Sequence, residues 1–267
     1  MSKDLKEYQN TLLGVTAAFI EGIILQPTVY WKNAQALRLP ISINPSVVYR
    51  GTVASIFNEC QMMGLQFGFT GFYQKLLVNS SSSSKSAIKI QEFASACLGG
   101  ISSAFFACPV ELIMIQQQIN GGSSIGTFLR VFKGRKLFRG LLPTIGRDSI
   151  YVTGMLGVTP FVQDYLIRER NISVNEAGFY ASIVGGILAA VPSHPFDIVK
   201  TCMQAKSINY DHIESISALQ TAKDLYVNGG GLKRLYSGVA WRTFNITATI
   251  YIANECRIRM SPFFATL

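Results

Sequence analysis

The stretch His194-Pro195-Phe196-Asp197-Ile198-Val199-Lys200 decides the fold, because two stretches of similar pattern precede it at regular distances. In all three, a proline stands near the end of an apolar run, and polar or charged residues occupy the next helical turn. The earlier stretches are Gln26-Pro27-Thr28-Val29-Tyr30-Trp31-Lys32 and Cys108-Pro109-Val110-Glu111-Leu112-Ile113-Met114. The prolines lie 82 and 86 residues apart. This spacing predicts a unit of roughly 85–90 residues that is repeated three times.

Two further marks recur in the same order and support the threefold repeat. An aromatic residue stands two positions before a glycine in Tyr49-Arg50-Gly51, Phe138-Arg139-Gly140 and Tyr236-Ser237-Gly238. A pair of small residues stands ten and nine positions before each proline, as Ala17-Ala18, Gly99-Gly100 and Gly185-Gly186. We therefore predict three repeats at 1–86, 87–173 and 174–267, which together form one integral domain.

Polar segments mark the boundaries between the repeats. Residues 79–86 contain six serines, one asparagine and one lysine, which predicts an exposed flexible linker. Residues 168–173 form a second polar break. The distance from proline to glycine is longest in the third repeat, and there we predict a short surface helix at 213–226.

The composition indicates a polytopic membrane protein. Apolar residues make up 49% of the chain and charged residues only 15%, whereas soluble domains carry about 25% charged residues. Six stretches have the length of about 20 residues that a bilayer requires, at 11–37, 52–78, 88–119, 141–168, 176–205 and 239–260. We therefore predict an all-α membrane protein with six transmembrane helices, two in each repeat. Every stretch contains polar residues, which can line a wet cavity inside the bundle.

The net charge of +9 does not indicate nucleic-acid binding. The basic residues cluster in the segments inside each repeat, as expected for the positive side of a membrane protein. No nucleic-acid-binding motif accompanies them. The five cysteines are scattered without metal-binding spacing, so neither a metal nor a cofactor is expected. The chain also lacks a P-loop and the motifs of hydrolases, which argues against an enzyme.

The proline-containing segments resemble the motif of the mitochondrial carrier family, in which an acid follows the proline by two positions and a base by five. Repeat three has Pro195, Asp197 and Lys200, with Gln204 four residues later. Repeat two has Pro109, Glu111 and Gln118, but Met114 replaces the base. Repeat one has Pro27 and Lys32, but Val29 replaces the acid. The resemblance implies a six-helix barrel of pseudo-threefold symmetry that alternates its access across the mitochondrial inner membrane, with short surface helices in the matrix loops.

The same resemblance implies a gate on the matrix side. Each proline removes one backbone hydrogen bond and is expected to kink its helix. In the family's ring of charges, Glu111 meets Lys200 and Asp197 meets Lys32. The third link joins Val29 to Met114, so neither position leaves a charge without a partner. We expect two ionic links and one apolar contact, with Arg242 in a structural role near this gate.

The gate at the opposite end is less complete in the sequence. The family's motif there is represented only by Phe72-Tyr73-Gln74-Lys75, by Asp164 with Arg168 and by Glu255 with Arg259. The two acid–base pairs lie four residues apart, which is also the spacing of ordinary surface pairs on a helix.

The family contacts its substrate about two turns after the aromatic-x-glycine mark. Counting seven residues from each glycine gives Asn58, Arg147 and Asn245. Arg147 and its neighbour Asp148 resemble the pair found in carriers of amino acids and related zwitterions, since a guanidinium can hold a carboxylate by two hydrogen bonds.

Glu21 is a further candidate for the cavity wall or for a coupled proton. The alternative for all these residues is that they only satisfy neighbouring helices.

We expect a mitochondrial inner-membrane transporter of an amino acid, zwitterion or carboxylate. The alternatives are a nucleotide or dicarboxylate carrier and a non-transporting scaffold of the same fold. The N-terminus has no arginine and two acids in its first seven residues, which argues against a cleaved presequence. The partners expected from the resemblance are a small-molecule substrate and the lipid bilayer, with cardiolipin at the matrix-side helix ends, around a monomer.

Overall fold

The computed structural model describes residues 7–78, 85–121, 123–133, 137–205 and 217–265. Throughout these ranges the regular structure is helical. The helices in chain order are α1 (Glu7–Ile24), α2 (Gln26–Leu37), α3 (Pro45–Val48), α4 (Thr52–Val78), α5 (Lys85–Asn120), α6 (Ser124–Lys133), α7 (Leu141–Val152), a π-helical segment (Thr153–Val158), α8 (Thr159–Arg170), α9 (Val174–Ala205), α10 (Ala218–Val227), α11 (Leu232–Leu235) and α12 (Val239–Ala265).

The first stretch that was predicted as one span, 11–37, consists of two helices. α1 ends at Ile24, and Leu25 takes the non-helical dihedrals φ −96° and ψ 0° before α2 begins at Gln26. Pro27 is the cause, because it has no N–H with which to continue the ladder of hydrogen bonds from α1. The sequence predicted a kink at Pro27 within this stretch, and the structure has a break at Leu25, two residues earlier.

The fourth stretch, 141–168, is also divided. Between α7 and α8 the backbone widens into the π-helical segment Thr153–Val158. Pro160 follows at the start of α8 and cannot donate a backbone hydrogen bond. The Thr159 hydroxyl instead donates to the carbonyl of Gly154 at 3.1 Å.

The helices α5 and α9 run without interruption through their prolines. Pro109 lies inside α5, and Pro192 and Pro195 lie inside α9. That Pro109 and Pro195 bend these helices stays a prediction.

The long helices form a closed ring of neighbours. Contacts join α1 to α4, α4 to α5, α5 to α7, α7 and α8 to α9, α9 to α12, and α12 back to α1 and α2. Adjacent members run antiparallel: Gly51 at the start of α4 lies beside Gln118 near the end of α5, whereas Gly99 near the start of α5 lies beside Thr70. We call the end of the ring that holds Gly51 and Gln118 the glycine end.

The small residues of the sequence pattern lie where helices approach closely. A Cβ atom placed on Gly100 of α5 would lie 2.5 Å from the backbone oxygen of Asp148 in α7. A Cβ atom on Gly186 of α9 would lie 3.0 Å from Cα of Thr247 in α12. Glycine therefore allows backbone contact between neighbouring helices, as in helix packing within membranes.

The outer surface of the ring is apolar, while charged side chains lie inside. Exposed large side chains include Phe19 and Ile24 on α1 and Phe57 and Phe72 on α4. Two helical ranges of the described chain, Ile90–Asn120 and Val174–Ala205, are long and apolar enough to cross a membrane, and Val15–Ile24 is a shorter apolar segment.

The connecting segments agree only in part with the predicted boundaries. Residues 79–84 of the predicted linker lie outside the described residues, while Lys85 and Ser86 belong to α5 and not to the linker. The predicted surface helix at 213–226 overlaps α10, whose first residue Ala218 follows the N-cap Ser217. Residues 213–216 lie outside the described part of the chain.

The polar break before the third repeat contains the end of one helix and the start of the next. Its residues 168–170 still belong to α8, which ends where Asn171 adopts a left-handed conformation with φ 51°. Ser173 Oγ accepts a hydrogen bond of 3.4 Å from the Glu176 backbone N–H and donates one of 2.8 Å to the Glu176 carboxylate. The first of these bonds is one half of a capping box at the start of α9.

Candidate functional site

A group of charged side chains from five helices fills the interior toward the glycine end. We call these residues the charged layer: Lys32 of α2, Glu111 of α5, Arg147 and Asp148 of α7, Asp197 and Lys200 of α9, and Arg242 of α12. Lys32 Nζ lies 2.9 Å from Asp197 Oδ2, and Lys200 Nζ lies 3.0 Å from Glu111 Oε2. These are the two acid–base pairs that the sequence pattern singled out.

Asp197 is the most highly paired member of the charged layer. Besides Lys32, its carboxylate has Arg242 Nη1 at 3.0 Å, Arg147 Nη1 at 3.5 Å and Lys200 Nζ at 3.7 Å. Its side chain is 1% exposed. A carboxylate buried to this extent is tolerated only when cations compensate its charge, so Asp197 ties four cationic side chains together.

Arg147 belongs to the charged layer and also lines the cavity that lies inside the ring of helices. Its Nη1 lies 2.6 Å from Glu111 Oε1, and its Nε donates to Asp148 Oδ1 at 2.7 Å. From the sequence, Arg147 and Asp148 are predicted to contact substrate, and the contact of Arg147 with Glu111 is not predicted. No signal in the motif indicated it, because the two residues lie 36 positions apart on different helices.

The two glutamines predicted at the gate connect helices near the charged layer. Gln118 Oε1 accepts a hydrogen bond of 2.5 Å from Asn33 Nδ2, which joins α5 to α2. Gln204 Nε2 donates to the backbone oxygens of Cys108 at 3.3 Å and Arg139 at 3.4 Å. Both side chains are buried.

The apolar positions of the predicted gate, Val29 and Met114, both line a cavity inside the ring of helices. Met114 packs with Ile115, with Ile119 and Ala205 at its side. The direct contact between Val29 and Met114 stays a prediction.

A cavity of about 90 Å³ lies next to the charged layer inside the ring. The five residues predicted to contact substrate all line it: Glu21, Asn58, Arg147, Asp148 and Asn245. The structure thus brings together side chains from α1, α4, α7 and α12 that are far apart in sequence.

Three of these side chains differ in how they are paired. Asn245 Nδ2 donates to Thr28 Oγ1 at 2.8 Å, and Glu21 Oε1 accepts from the Thr249 hydroxyl at 2.5 Å. Asn58 is buried, and its Oδ1 has no hydrogen-bond partner. An unpaired buried acceptor costs free energy that a bound donor can recover.

Several residues of the cavity wall were not predicted from the sequence, and Glu59 is the most important of them. The count of seven residues from the glycine gives only one position in each helix. It gives Asn58 in α4 and therefore not Glu59, the next residue. A carboxylate inside the apolar stretch 52–78 was a signal that could have identified it. Gln66, Tyr151 and Thr249 also line the cavity.

Arg242, expected to have a structural role near the gate, contacts two residues of α9, Asp197 and Ser193. Besides the ion pair with Asp197, its Nη2 donates to Ser193 Oγ at 2.8 Å. It therefore joins α12 to α9 at the level of the charged layer.

The opposite end of the ring has no comparable layer among the described residues. Glu255 Oε2 and Arg259 Nε lie 2.8 Å apart, but both belong to α12, and the Arg259 side chain is 80% exposed. Asp164 and Arg168 are exposed and form no ion pair in this part of the chain. The Tyr73 hydroxyl lies 2.9 Å from Ser102 Oγ and connects α4 to α5.

Comparison with known proteins relates the chain to carriers. The family model described as mitochondrial carrier protein matches residues 176–253. The chain is 26% identical to the mitochondrial glycine transporter YMC1 of Saccharomyces cerevisiae, over 70% of this chain and 65% of that protein. It is 27% identical to a probable mitochondrial 2-oxodicarboxylate carrier of Dictyostelium discoideum, over 74% and 72%. Mitochondrial substrate carrier family protein X of the same organism is 26% identical over 91% of this chain and 90% of its own.

Proposed function

Since the chain belongs to the mitochondrial carrier family, whose members are transporters and not enzymes, we propose that it moves a small solute across the mitochondrial inner membrane by alternating access. One observation supports this proposal: ion pairs between different helices line an interior polar cavity on the side of the glycine end. A barrier built from ion pairs can open by separating them, because Lys32–Asp197, Lys200–Glu111 and Arg242–Asp197 each join side chains of different helices.

The proposed architecture has six membrane-crossing segments in three two-helix repeats related by a pseudo-threefold axis. The segments are α1 with α2, α4, α5, α7 with the π-helical segment and α8, α9, and α12. The closed antiparallel ring, its apolar outer surface and its charged interior support this arrangement. The reverse distribution, charged outside and apolar inside, is typical of soluble proteins.

The glycine end is proposed to face the matrix. The segments between α5 and α7 and between α9 and α12 carry the clusters of basic residues, as the positive-inside rule requires. α6 supports a position at the membrane surface, since Ile125, Leu129 and Phe132 are exposed on it beside the basic Arg130. We propose a monomer with cardiolipin at the matrix-side helix ends.

The charged layer and the cavity share Arg147, which suggests how a solute opens the gate. A carboxylate of the solute that binds Arg147 competes with Glu111 and Asp197 for the same guanidinium. The contacts that join α7 to α5 and α9 then weaken, while the solute compensates the charge of Arg147. The barrier to opening is lowered only when the solute is present, as coupled transport requires.

The cargo that the cavity fits best is an amino acid or a related zwitterion. Its carboxylate would bind Arg147, and its ammonium group would face the carboxylates of the wall. The relatives named as 2-oxodicarboxylate carriers favour a dicarboxylate as the second candidate. A nucleotide fits less well, because the four cations that line the cavity already contact carboxylates of the charged layer.

The test is exchange of radiolabelled solutes by the purified full chain in liposomes. We expect counter-exchange of one or more amino acids and its loss in Arg147→Ala, with Arg168→Ala as a control that removes an exposed arginine. Uptake of nucleotides or phosphate alone would refute the choice of cargo. A chain that moves no solute at all would support the alternative of a non-transporting scaffold.

A further inference from the structure

We propose that Glu21, Glu59 and Asn58 form a binding site for a primary ammonium or guanidinium group, so that the solute carries a net positive charge. This proposal rests on the proposed transport function and narrows its cargo from zwitterions in general to basic amino acids and related organic cations.

The three side chains come from two neighbouring helices and face one cavity. α1 and α4 are packed together near these residues, since a Cβ atom on Gly22 would lie 2.8 Å from the Ile56 side chain. Glu21, Asn58 and Glu59 all line the cavity. Where both are ionised, the carboxylates of Glu21 and Glu59 repel each other.

The acceptor oxygens of these three side chains outnumber the protein donors that contact them. Glu21 accepts one hydrogen bond from Thr249. Glu59 has no cationic side chain at ion-pair distance in the described chain, although Arg147 and Lys32 act on it across the cavity. Asn58 is 96% buried with its Oδ1 unpaired (4% exposed). Because an ammonium group has three donors and no acceptor, it complements this set.

The charges of the site and the charged layer together leave an excess of acid. Five carboxylates stand against four cations: Glu21, Glu59, Glu111, Asp148 and Asp197 against Lys32, Arg147, Lys200 and Arg242. Each of the four cations contacts a carboxylate of the charged layer. The two acids left without an ion pair are those of the proposed site. Since a buried carboxylate is costly without compensation, a cationic solute stabilises the ionised form of these two acids and an anionic one does not.

The first experiment measures binding to the purified full chain in detergent by its thermal unfolding. L-Lysine and L-arginine are compared with glycine, 2-oxoglutarate and magnesium chloride as probes. We expect a higher unfolding temperature with lysine or arginine, and loss of that shift in Glu21→Gln and Glu59→Gln. Glu92→Gln removes an exposed carboxylate outside the cavity and should keep the shift. Stabilisation by magnesium or by 2-oxoglutarate in place of the amines would overturn the assignment.

The second experiment measures selectivity in liposomes as the ratio of lysine to glycine exchange. Loss of one charged acceptor from a buried contact should lower this ratio by about tenfold or more. Asn58→Leu should lower it as well, because the variant removes the unpaired oxygen without changing a charge.

The two experiments separate the failure of the site from the failure of transport. If the wild-type protein exchanges glycine as fast as lysine and the glutamine variants do the same, the cation site is refuted and the carrier function stands. If no solute moves, the carrier function fails, and the thermal shift alone decides whether the site binds amines. Equal unfolding temperatures with and without the amines would then refute the site too.

Discussion

At the residue scale, Asp197 holds the charged layer together because four cationic side chains lie between 2.9 and 3.7 Å from its carboxylate. Asp197→Asn removes the charge that all four share and leaves them to repel one another. Breaking a buried ionic group in this way costs about 3–5 kcal/mol of stability. Lys32→Met should cost less, since Asp197 keeps its other three cations.

The measurement is the thermal unfolding of both variants in detergent, with Asp164→Asn as the control. Asp164 is exposed and makes no ion pair in the described part of the chain, so its variant should unfold like the wild-type protein. A loss in Lys32→Met that equals or exceeds the loss in Asp197→Asn would contradict the central position of Asp197.

Positions 29 and 114 test the proposed gate more selectively. Val29→Glu or Met114→Arg alone places a charge without a dedicated partner in the interior, at about 2.5–3.5 kcal/mol on insertion scales. The double variant can form an ion pair and should retain more exchange in liposomes than either single variant. Equal damage in all three variants would show that the two positions do not meet during transport.

The positions of the charged layer follow from the sequence pattern more directly than those of the cavity wall. Glu111, Asp197 and Lys200 stand at fixed offsets from their prolines, and a helix converts such offsets into positions on one face. The contact of Arg147 with Glu111 depends on how far a long side chain reaches between helices, which no spacing encodes. Glu59 was not predicted, because the count of seven residues from the glycine depends on position alone and not on the charge of the residue.

At the element scale, the close contact between α5 and α7 depends on Gly100. A Cβ atom there would lie 2.5 Å from the backbone of Asp148, and backbone atoms cannot move aside as a flexible side chain can. Gly100→Ala should therefore destabilise the protein by about 1–3 kcal/mol, the usual cost of overpacking.

Gly64→Ala is the matched control for this prediction. Gly64 also lies in a long helix, but no atom stands within 4 Å of the added Cβ. Alanine should be neutral there or stabilise α4 by up to about 1 kcal/mol through its higher helix propensity. The same loss of unfolding temperature in both variants would show that helix packing at Gly100 is not the cause.

The helical stretches could be predicted from sequence more reliably than the interruptions within them. The stretch 52–78 coincides with α4, and 88–119 lies within α5. A kink was expected at Pro27, close to the break at Leu25, whereas the π-helical segment Thr153–Val158 was not predicted. Prolines stand near both, but Pro109 and Pro195 leave their helices unbroken, so the presence of a proline does not by itself predict an interruption.

At the scale of the whole molecule, the central claim is that the charged layer separates the cavity from the glycine end. Gln66 of α4 lines the cavity, and 15 residues of helix place it about 22 Å from Gly51 along the helix. Asn120 is exposed at the end of α5, close to the glycine end. Cysteines at these two positions therefore report on opposite sides of the charged layer.

The measurement uses Gln66→Cys and Asn120→Cys in a chain whose five native cysteines are replaced, reconstituted in liposomes of known orientation. A membrane-impermeant thiol reagent is added to one side at a time, without solute. We expect Gln66→Cys to react only from the side opposite to the one that labels Asn120→Cys. Reaction of both cysteines from the same side, or of Gln66→Cys equally from both sides, would show that the charged layer does not close the cavity.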